Sequence, residues 1–186
     1  MKESMGSLKL DIGCGATKKK GFIGVDILKL DGVDIVHNLT SFPYPFEDNS
    51  IDEIWMDNVL EHLPNPIRVV EEIHRISKNG AKITVAVPYF RSHYAFIDPT
   101  HVNFFGVNWF NYFDPSHIFQ QKYQYSKAKF KIEKMLFDRE WLDKKNYRFF
   151  HGLLMKFANK RPDTYEARLS HIFPLNSLTF YLTTMK

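Results

Sequence analysis

The 186 residues are enough for one domain with a sizeable core, and at 44% hydrophobic and 25% charged the composition is that of an ordinary globular chain. No uninterrupted apolar run reaches the length of a membrane span, and the single cysteine, Cys14, excludes an internal disulfide and a cysteine-based zinc site. The formal charge of +4 permits an anionic partner without requiring one.

Met1-Lys2-Glu3-Ser4-Met5 leads into a strand-like segment without the apolar core of a signal peptide, so a cytoplasmic location and no membrane attachment are expected. The basic runs, Lys18-Lys19-Lys20 and the lysines from Lys122 to Lys134, read as solvated faces. Aromatic residues make up 16% of the chain, and thirteen of them fall between Tyr89 and Tyr125, which marks a local structure there.

Leu8-Lys9-Leu10-Asp11-Ile12 alternates and then meets Gly13-Cys14-Gly15, the pattern of a strand entering a tight turn. Gly21 to Ile27 is a second short strand, with the carboxylate of Asp26 at its end. Asp34 to His37 is a third, after the turn signal Asp31-Gly32. A proline-broken loop, Phe42-Pro43-Tyr44-Pro45-Phe46, leads to a fourth strand, Ile51 to Met56. Ile67, Val70, Ile73, His74 and Ile76 then recur at helical spacing, with Pro64 and Pro66 near the start and Gly80 past the end. Ala81 to Val87 is a fifth strand, stopped by Pro88. Phe130 to Phe137 alternates as another, Tyr147 to Phe173 is mixed with a helical stretch around Phe150 to Phe157, and Ser177 to Thr184 is a final strand.

Strands interleaved with helices predict an α/β fold: a mostly parallel sheet with right-handed crossovers and an antiparallel C-terminal edge strand. Only six residues separate Gly15 from Phe22, so the first crossover helix is reduced to a turn at most. No repeat, low-complexity tract or linker interrupts the chain. Residues 1–186 therefore read as a single domain with an aromatic-rich lid or substrate-binding insertion at about 89–125.

Glycines after a parallel strand let the backbone turn sharply and approach a ligand closely. The third glycine of the dinucleotide fingerprint is absent, Lys18 standing in that stretch, which argues against a pyrophosphate-binding dehydrogenase. Asp26 closes the next strand, where an acid can accept hydrogen bonds from ribose hydroxyls. Leu10-Asp11-Ile12-Gly13-Cys14-Gly15, Gly24-Val25-Asp26 and Asn58-Val59-Leu60-Glu61-His62-Leu63, in this order, resemble the class I S-adenosylmethionine (SAM)-dependent methyltransferases, and within them the type 11 methyltransferase domain family. The helix ending Ile73 to Gly80 and the strand after it match a further passage of that family, so the resemblance covers about residues 8–90.

The resemblance implies a Rossmann-like sheet of seven strands and SAM as cofactor, with S-adenosylhomocysteine as product. It implies that Gly13, Cys14 and Gly15 pass under the methionine and ribose portions, that Asp11 orients this turn or meets the amino group, and that Asp26, followed by Ile27, binds the ribose hydroxyls. Asn38-Leu39 stands where the family has an acid beside the adenine amine, and the Asn38 amide oxygen is expected to accept that N–H. Asp57 and Asn58 would face the methionine end.

Methyl transfer from a sulfonium depends mainly on alignment, with a base for a hydroxyl or amine acceptor. His62, His93, Asp98 and His101 are the candidates for that base, since they follow the fourth and fifth strands. Glu61-His62 also resembles part of the Glu-x-x-Glu-His motif with which some O-methyltransferases bind a metal, which His93 or His101 could complete. Asn58 replaces the first Glu of that motif, and the expectation is no metal, with Glu61-His62 starting a helix. In the insertion Phe104-Phe105, Trp109-Phe110 and Tyr112-Phe113 either line a pocket for a planar acceptor or form a satellite core beneath a long loop. The expected activity is methyl transfer to an oxygen or nitrogen of a small-molecule or glycan-type acceptor. RNA methylation, which the modest charge argues against, and SAM binding without catalysis are the alternatives.

Overall fold

A computed structural model describes residues 6–139 and 149–186. The strands are β1 (Lys9–Ile12), β2 (Ile23–Asp26), β3 (Ile35–Val36), β4 (Ile51–Asp57), β5 (Ser77–Pro88), β6 (Lys129–Phe137) and β7 (Ser177–Met185). They form one seven-stranded sheet in the order β3-β2-β1-β4-β5-β7-β6. The first five run parallel, and β7 pairs antiparallel with both β5 and β6. This is the mixed α/β sheet that the sequence predicts, with one refinement of position: the antiparallel strand lies one place in from the edge. Leu178, Phe180 and Leu182 of β7 are buried between neighbours, whereas the alternating lysines of β6 suit a solvent-facing edge.

Residues 13–22 form turns without a helix, so β1 returns to β2 by a connection much shorter than the dozen or more residues of an ordinary parallel crossover. Gly13 and Cys14 N–H groups both donate to the Val25 carbonyl, which holds this tight return in place. The next connection is also helix-free, and Ile27, Leu28 and Val36 remain exposed on that side of the sheet.

The helices are α1 (Pro66–Ile76), α2 (Tyr94–Ile97), α3 (Ile118–Tyr123), α4 (Phe149–Lys160) and α5 (Pro162–Arg168). α1 starts where the sequence marks it: Asn65 accepts the Arg68 N–H at 3.1 Å and Pro66 occupies the first turn. Its buried face is Val69, Val70, Ile73 and Ile76. Ser77 then passes directly into β5, so this strand begins four residues before the expected Ala81. The helical stretch around 150–157 is part of α4, while Tyr147, at the start of the mixed region, lies outside the described residues. Among the described residues no helix is long and apolar enough to cross a membrane.

The insertion contributes to the main core. Phe105, Phe110 and Phe113 are each at most 2% exposed, and Phe110 packs on Phe180 of β7 with ring centroids 4.8 Å apart. Tyr89 bridges Phe105, which fixes the start of the insertion beside the end of β5. These rings therefore line no acceptor pocket, because the sheet around β7 needs their apolar bulk on its face.

Candidate active site

The functional side chains converge at the C-terminal ends of β1, β2, β4 and β5, the end at which open α/β sheets bind ligands. Gly13 has φ +71° and Gly15 φ +56°, backbone that disfavours any side chain. A Cβ on Gly13 would lie 2.3 Å from Val59 Cγ2, whereas one on Gly15 would meet open space. The turn is held by two carboxylates. Asp26 Oδ2 accepts the Gly15 N–H at 2.9 Å and its Oδ1 accepts that of Leu28 at 3.0 Å. Asp11 is buried and accepts the Lys19 N–H at 2.6 Å; burial pushes its carboxyl up from the ordinary aspartate value, against the pull of that bond. Burial, with Asp11 and Asp26 nearby, also raises the Cys14 thiol and keeps it neutral.

Beside this turn lies a cavity of about 330 Å³ lined by Asp11, Gly13, Cys14, Lys19, Trp55 and Asp57 among others. Lys19 Nζ sits 3.6 Å from the Trp55 ring centroid, and the guanidinium of Arg139 approaches the same ring at 4.6 Å. Arg139 also reaches Asp57 Oδ2 at 3.3 Å. A second cavity of about 650 Å³ shares Asp57 and continues over Asn58, Glu61, His62, Tyr94, Ile97, Asp98, His101 and Arg139. Arg139 lines only this larger one, so Asp57 is the residue common to both walls.

The far wall of the larger cavity comes from a 3-10 turn, Leu60–His62, and the first part of the insertion. The Glu61 carbonyl accepts the Val102 N–H at 2.9 Å and the Asn103 N–H at 3.1 Å, and the Asn103 side chain donates to the Leu63 carbonyl at 2.6 Å. These bonds bring His101 against Glu61 and His62. The His62 and His101 rings meet edge to face with centroids 4.6 Å apart, and His101 Nε2 is 4.0 Å from Glu61 Oε1, beyond hydrogen-bond reach. Glu61 is 1% exposed, and among the described residues neither of its carboxylate oxygens has a hydrogen-bond partner. Burial pushes its carboxyl up to about 7, and burial together with His101 lowers the pKa of His62. Asp98 accepts both the hydroxyl and the N–H of Thr100, which hold it below the usual carboxylate range.

Residues 10–85 match the family model described as a methyltransferase domain. Through this segment, about two fifths of its length, the chain is similar to the methyltransferase-domain family. An uncharacterized protein of Methanocaldococcus jannaschii is 38% identical over 93 residues, a match that covers 43% of this chain and 40% of that protein. The chain thus spans about two fifths of the curated relative it matches. The sheet also superimposes on solved structures. One is a chain of the complex between the Haloferax volcanii Trm112 methyltransferase activator and a methyltransferase (TM-score 0.56, 18% identity, 100% of this chain and 85% of that one). Another is a SAM-dependent methyltransferase from Archaeoglobus fulgidus (TM-score 0.52, 18% identity, 96% and 86%). The [4+2]-cyclase SpnF has the same fold (TM-score 0.56, 15% identity, 97% and 75%), so the architecture alone does not choose the chemistry.

The residues expected from sequence fall into three groups. Asp11, Gly13, Cys14 and Asp57 line the smaller cavity, and Gly15 and Asp26 shape its turn. Ile27 is 58% exposed at the end of β2, whereas Leu39 is a core residue whose carbonyl takes the Tyr44 hydroxyl. Asn38 Oδ1 already accepts the N–H and the hydroxyl of Thr40, an Asx turn that engages the oxygen expected for adenine. Asn58, at φ +53°, lines the larger cavity with His62, Asp98 and His101. His93 stacks on Tyr94 at the exposed start of α2 and joins neither cavity. Lys19 and Trp55 are participants that sequence reasoning missed. Lys19 read as one of three solvated lysines, and only the fold of the short β1–β2 return carries its ammonium over Trp55.

Proposed function

We propose that the protein transfers the methyl group of SAM to an oxygen or nitrogen nucleophile of a small-molecule acceptor, glycan-type compounds included. The carrying observation is the pair of adjoining cavities that share Asp57, one against the glycine turn and the other ending at Glu61, His62 and His101. The larger has the size of ordinary small-molecule sites, which favours a compact acceptor over RNA.

The residues present fit the cofactor. The open space over Gly15 admits a ligand close to the backbone, and each Asp26 oxygen retains a second lone pair for a ribose hydroxyl beside its N–H bond. The exposed Ile27 offers an apolar shelf to the base. Asp11 and Asp57 oppose Lys19 across the smaller cavity, a charge pattern complementary to the zwitterionic methionine end. When bound, the cofactor supplies a methyl on a sulfonium, transferred as the S–C bond breaks and the acceptor–C bond forms, leaving S-adenosylhomocysteine. The chain's own work is to orient the two reactants about Asp57 and to receive the acceptor's proton. His62, His101 and Glu61 are the groups at that end with lone pairs to do so.

Calorimetry with S-adenosylhomocysteine tests the reading. The unaltered chain is expected to bind it, and Asp26→Ala to weaken binding at least about tenfold, or about 1.4 kcal/mol, with an unchanged far-ultraviolet circular dichroism spectrum. Absence of heat with both SAM and S-adenosylhomocysteine overturns the proposal. Equal affinity in Asp26→Ala removes the ribose role.

A further inference from the structure

Glu61 is difficult to explain as a structural residue. A carboxylate buried to 1% exposure, with neither oxygen hydrogen-bonded among the described residues, carries a large desolvation cost, and the charge-bearing group beside it is His101, 4.0 Å away. Its neighbours are arranged to present lone pairs. The Thr100 hydroxyl donates its one proton to Asp98 Oδ1 at 2.6 Å, so toward His62 Nδ1, 2.8 Å away, it can only accept. His62 is therefore protonated at Nδ1 and its Nε2 bears the lone pair. His101 Nδ1 lies 3.1 Å from the Ala95 carbonyl, which again can only accept, so Nε2 is the nitrogen that carries the lone pair in the neutral ring. One ligand atom from each of Glu61, His62 and His101 lies within 4.8 Å of the other two.

We infer that Glu61, His62 and His101 form a binding site for a divalent first-row transition-metal ion at the inner end of the larger cavity. Two imidazole nitrogens and one carboxylate oxygen are a donor set that such ions accept with positions left open. The far nitrogen of each imidazole is fixed by a hydrogen bond to a hydroxyl or a carbonyl, the outer arrangement that sets the ring orientation of metal-binding histidines. An ion about 2.1 Å from each donor needs them about 3–3.5 Å apart, so the widest pair closes by about an ångström on binding. A bound ion would also provide the counter-charge that Glu61 lacks. The sequence alone pointed to no metal, because the residue that begins the known motif is Asn58. The third ligand here comes from the insertion, and Asn58 is not needed to complete the set.

What the open positions hold rests on the methyl-transfer reading, whereas ion binding itself does not. The acceptor class that fits is one with a hydroxyl beside a second oxygen, able to chelate the ion. With the ion bound, the lone pairs of Glu61, His62 and His101 are engaged and no longer receive the acceptor's proton; a coordinated hydroxyl would lose that proton to solvent more readily than a free one, which would leave its oxygen as the nucleophile.

The test uses the full chain, freed of any histidine tag and stripped with a chelator, and titrated with cobalt(II) by calorimetry and visible absorption. One ion per chain is expected, with affinity at least tenfold weaker in His101→Gln and in Glu61→Gln. Thr100→Val, which keeps every ligand but removes the bond that orients His62, is expected to weaken binding about three- to tenfold; a merely structural role for Thr100 would leave the cobalt spectrum unmoved. No saturable binding in the unaltered chain, or affinity unchanged in folded His101→Gln and Thr100→Val, overturns the inference. Titration with S-adenosylhomocysteine on the same stripped sample separates the two readings. Binding of it without cobalt binding defeats the metal site alone, and cobalt binding without it leaves the metal site standing while the methyl-transfer reading fails.

Discussion

At Gly13 two constraints act on one position: a Cβ would stand 2.3 Å from Val59 Cγ2, and φ is +71°. Gly13→Ala is expected to cost about 1–3 kcal/mol in urea unfolding and to weaken S-adenosylhomocysteine binding at least tenfold. Adding Val59→Ala relieves the collision but not the φ, so the double variant should recover only part of the stability. The glycine turn and Asp26 were legible because their chemistry is local: a strand, a turn that only glycine tolerates, and an acid at the next strand end. Glu61 was legible as an acid but not as a buried and unpartnered one. Its burial is imposed by residues about forty positions further along, Val102 and Asn103, whose N–H groups cover its carbonyl.

At the scale of elements, α1 holds the proline-broken loop through one carboxylate. Glu72, 6% exposed, accepts the Tyr44 N–H at 2.8 Å and two bonds from Arg75, whose guanidinium also reaches the Tyr44 and Phe46 carbonyls. Burial alone would raise the Glu72 pKa, but the Arg75 and Tyr44 hydrogen bonds outweigh it and lower the carboxyl below the ordinary 4.5. A group whose folded pKa is depressed is fully stabilising above its unfolded value and loses that contribution as pH falls through the folded one. Urea midpoints measured from pH 7 down to pH 3 should therefore drop below about pH 4.5, and Glu72→Gln should flatten that drop. The same substitution is expected to cost about 1.5–3 kcal/mol at neutral pH. Here the sequence showed the helix, from its apolar spacing and its Asn65-Pro66 start, but hid the clamp. Tyr44 lies 28 residues from Glu72 in the chain, and helical periodicity carries no information about that partner. Strand order was hidden likewise: the alternation of β6 and β7 marks two strands but not which one lies at the edge.

At the scale of the molecule, the sheet supplies a floor and the insertion supplies one wall of the larger cavity. Asn103 is the fastening, since its side chain donates to the Leu63 and Leu60 carbonyls at 2.6 and 3.3 Å. Asn103→Ala is expected to cost about 1 kcal/mol in global stability. It should also lower the hydrogen-exchange protection of the Val102 and Asn103 amides about tenfold, and weaken cobalt binding in parallel as His101 loosens. Protection at wild-type level would show that the wall is held by its aromatic packing instead.

The sequence by itself determined the seven strands in chain order, the helices α1 and α4, the sharp turn at Gly13 to Gly15, the acid at the end of β2 and the absence of room for a first crossover helix. Each of these follows from periodicity, from backbone conformations open only to glycine, or from the number of residues available between two elements. The tertiary structure alone decided that Phe105, Phe110 and Phe113 of the insertion fill the core while Tyr94, Ile97, Asp98 and His101 line the larger cavity, that Lys19 lies over Trp55, and that His101, unlike His93, meets Glu61 and His62. Those outcomes depend on contacts between residues distant along the chain, settled only when the apolar faces of sheet and insertion are buried against each other.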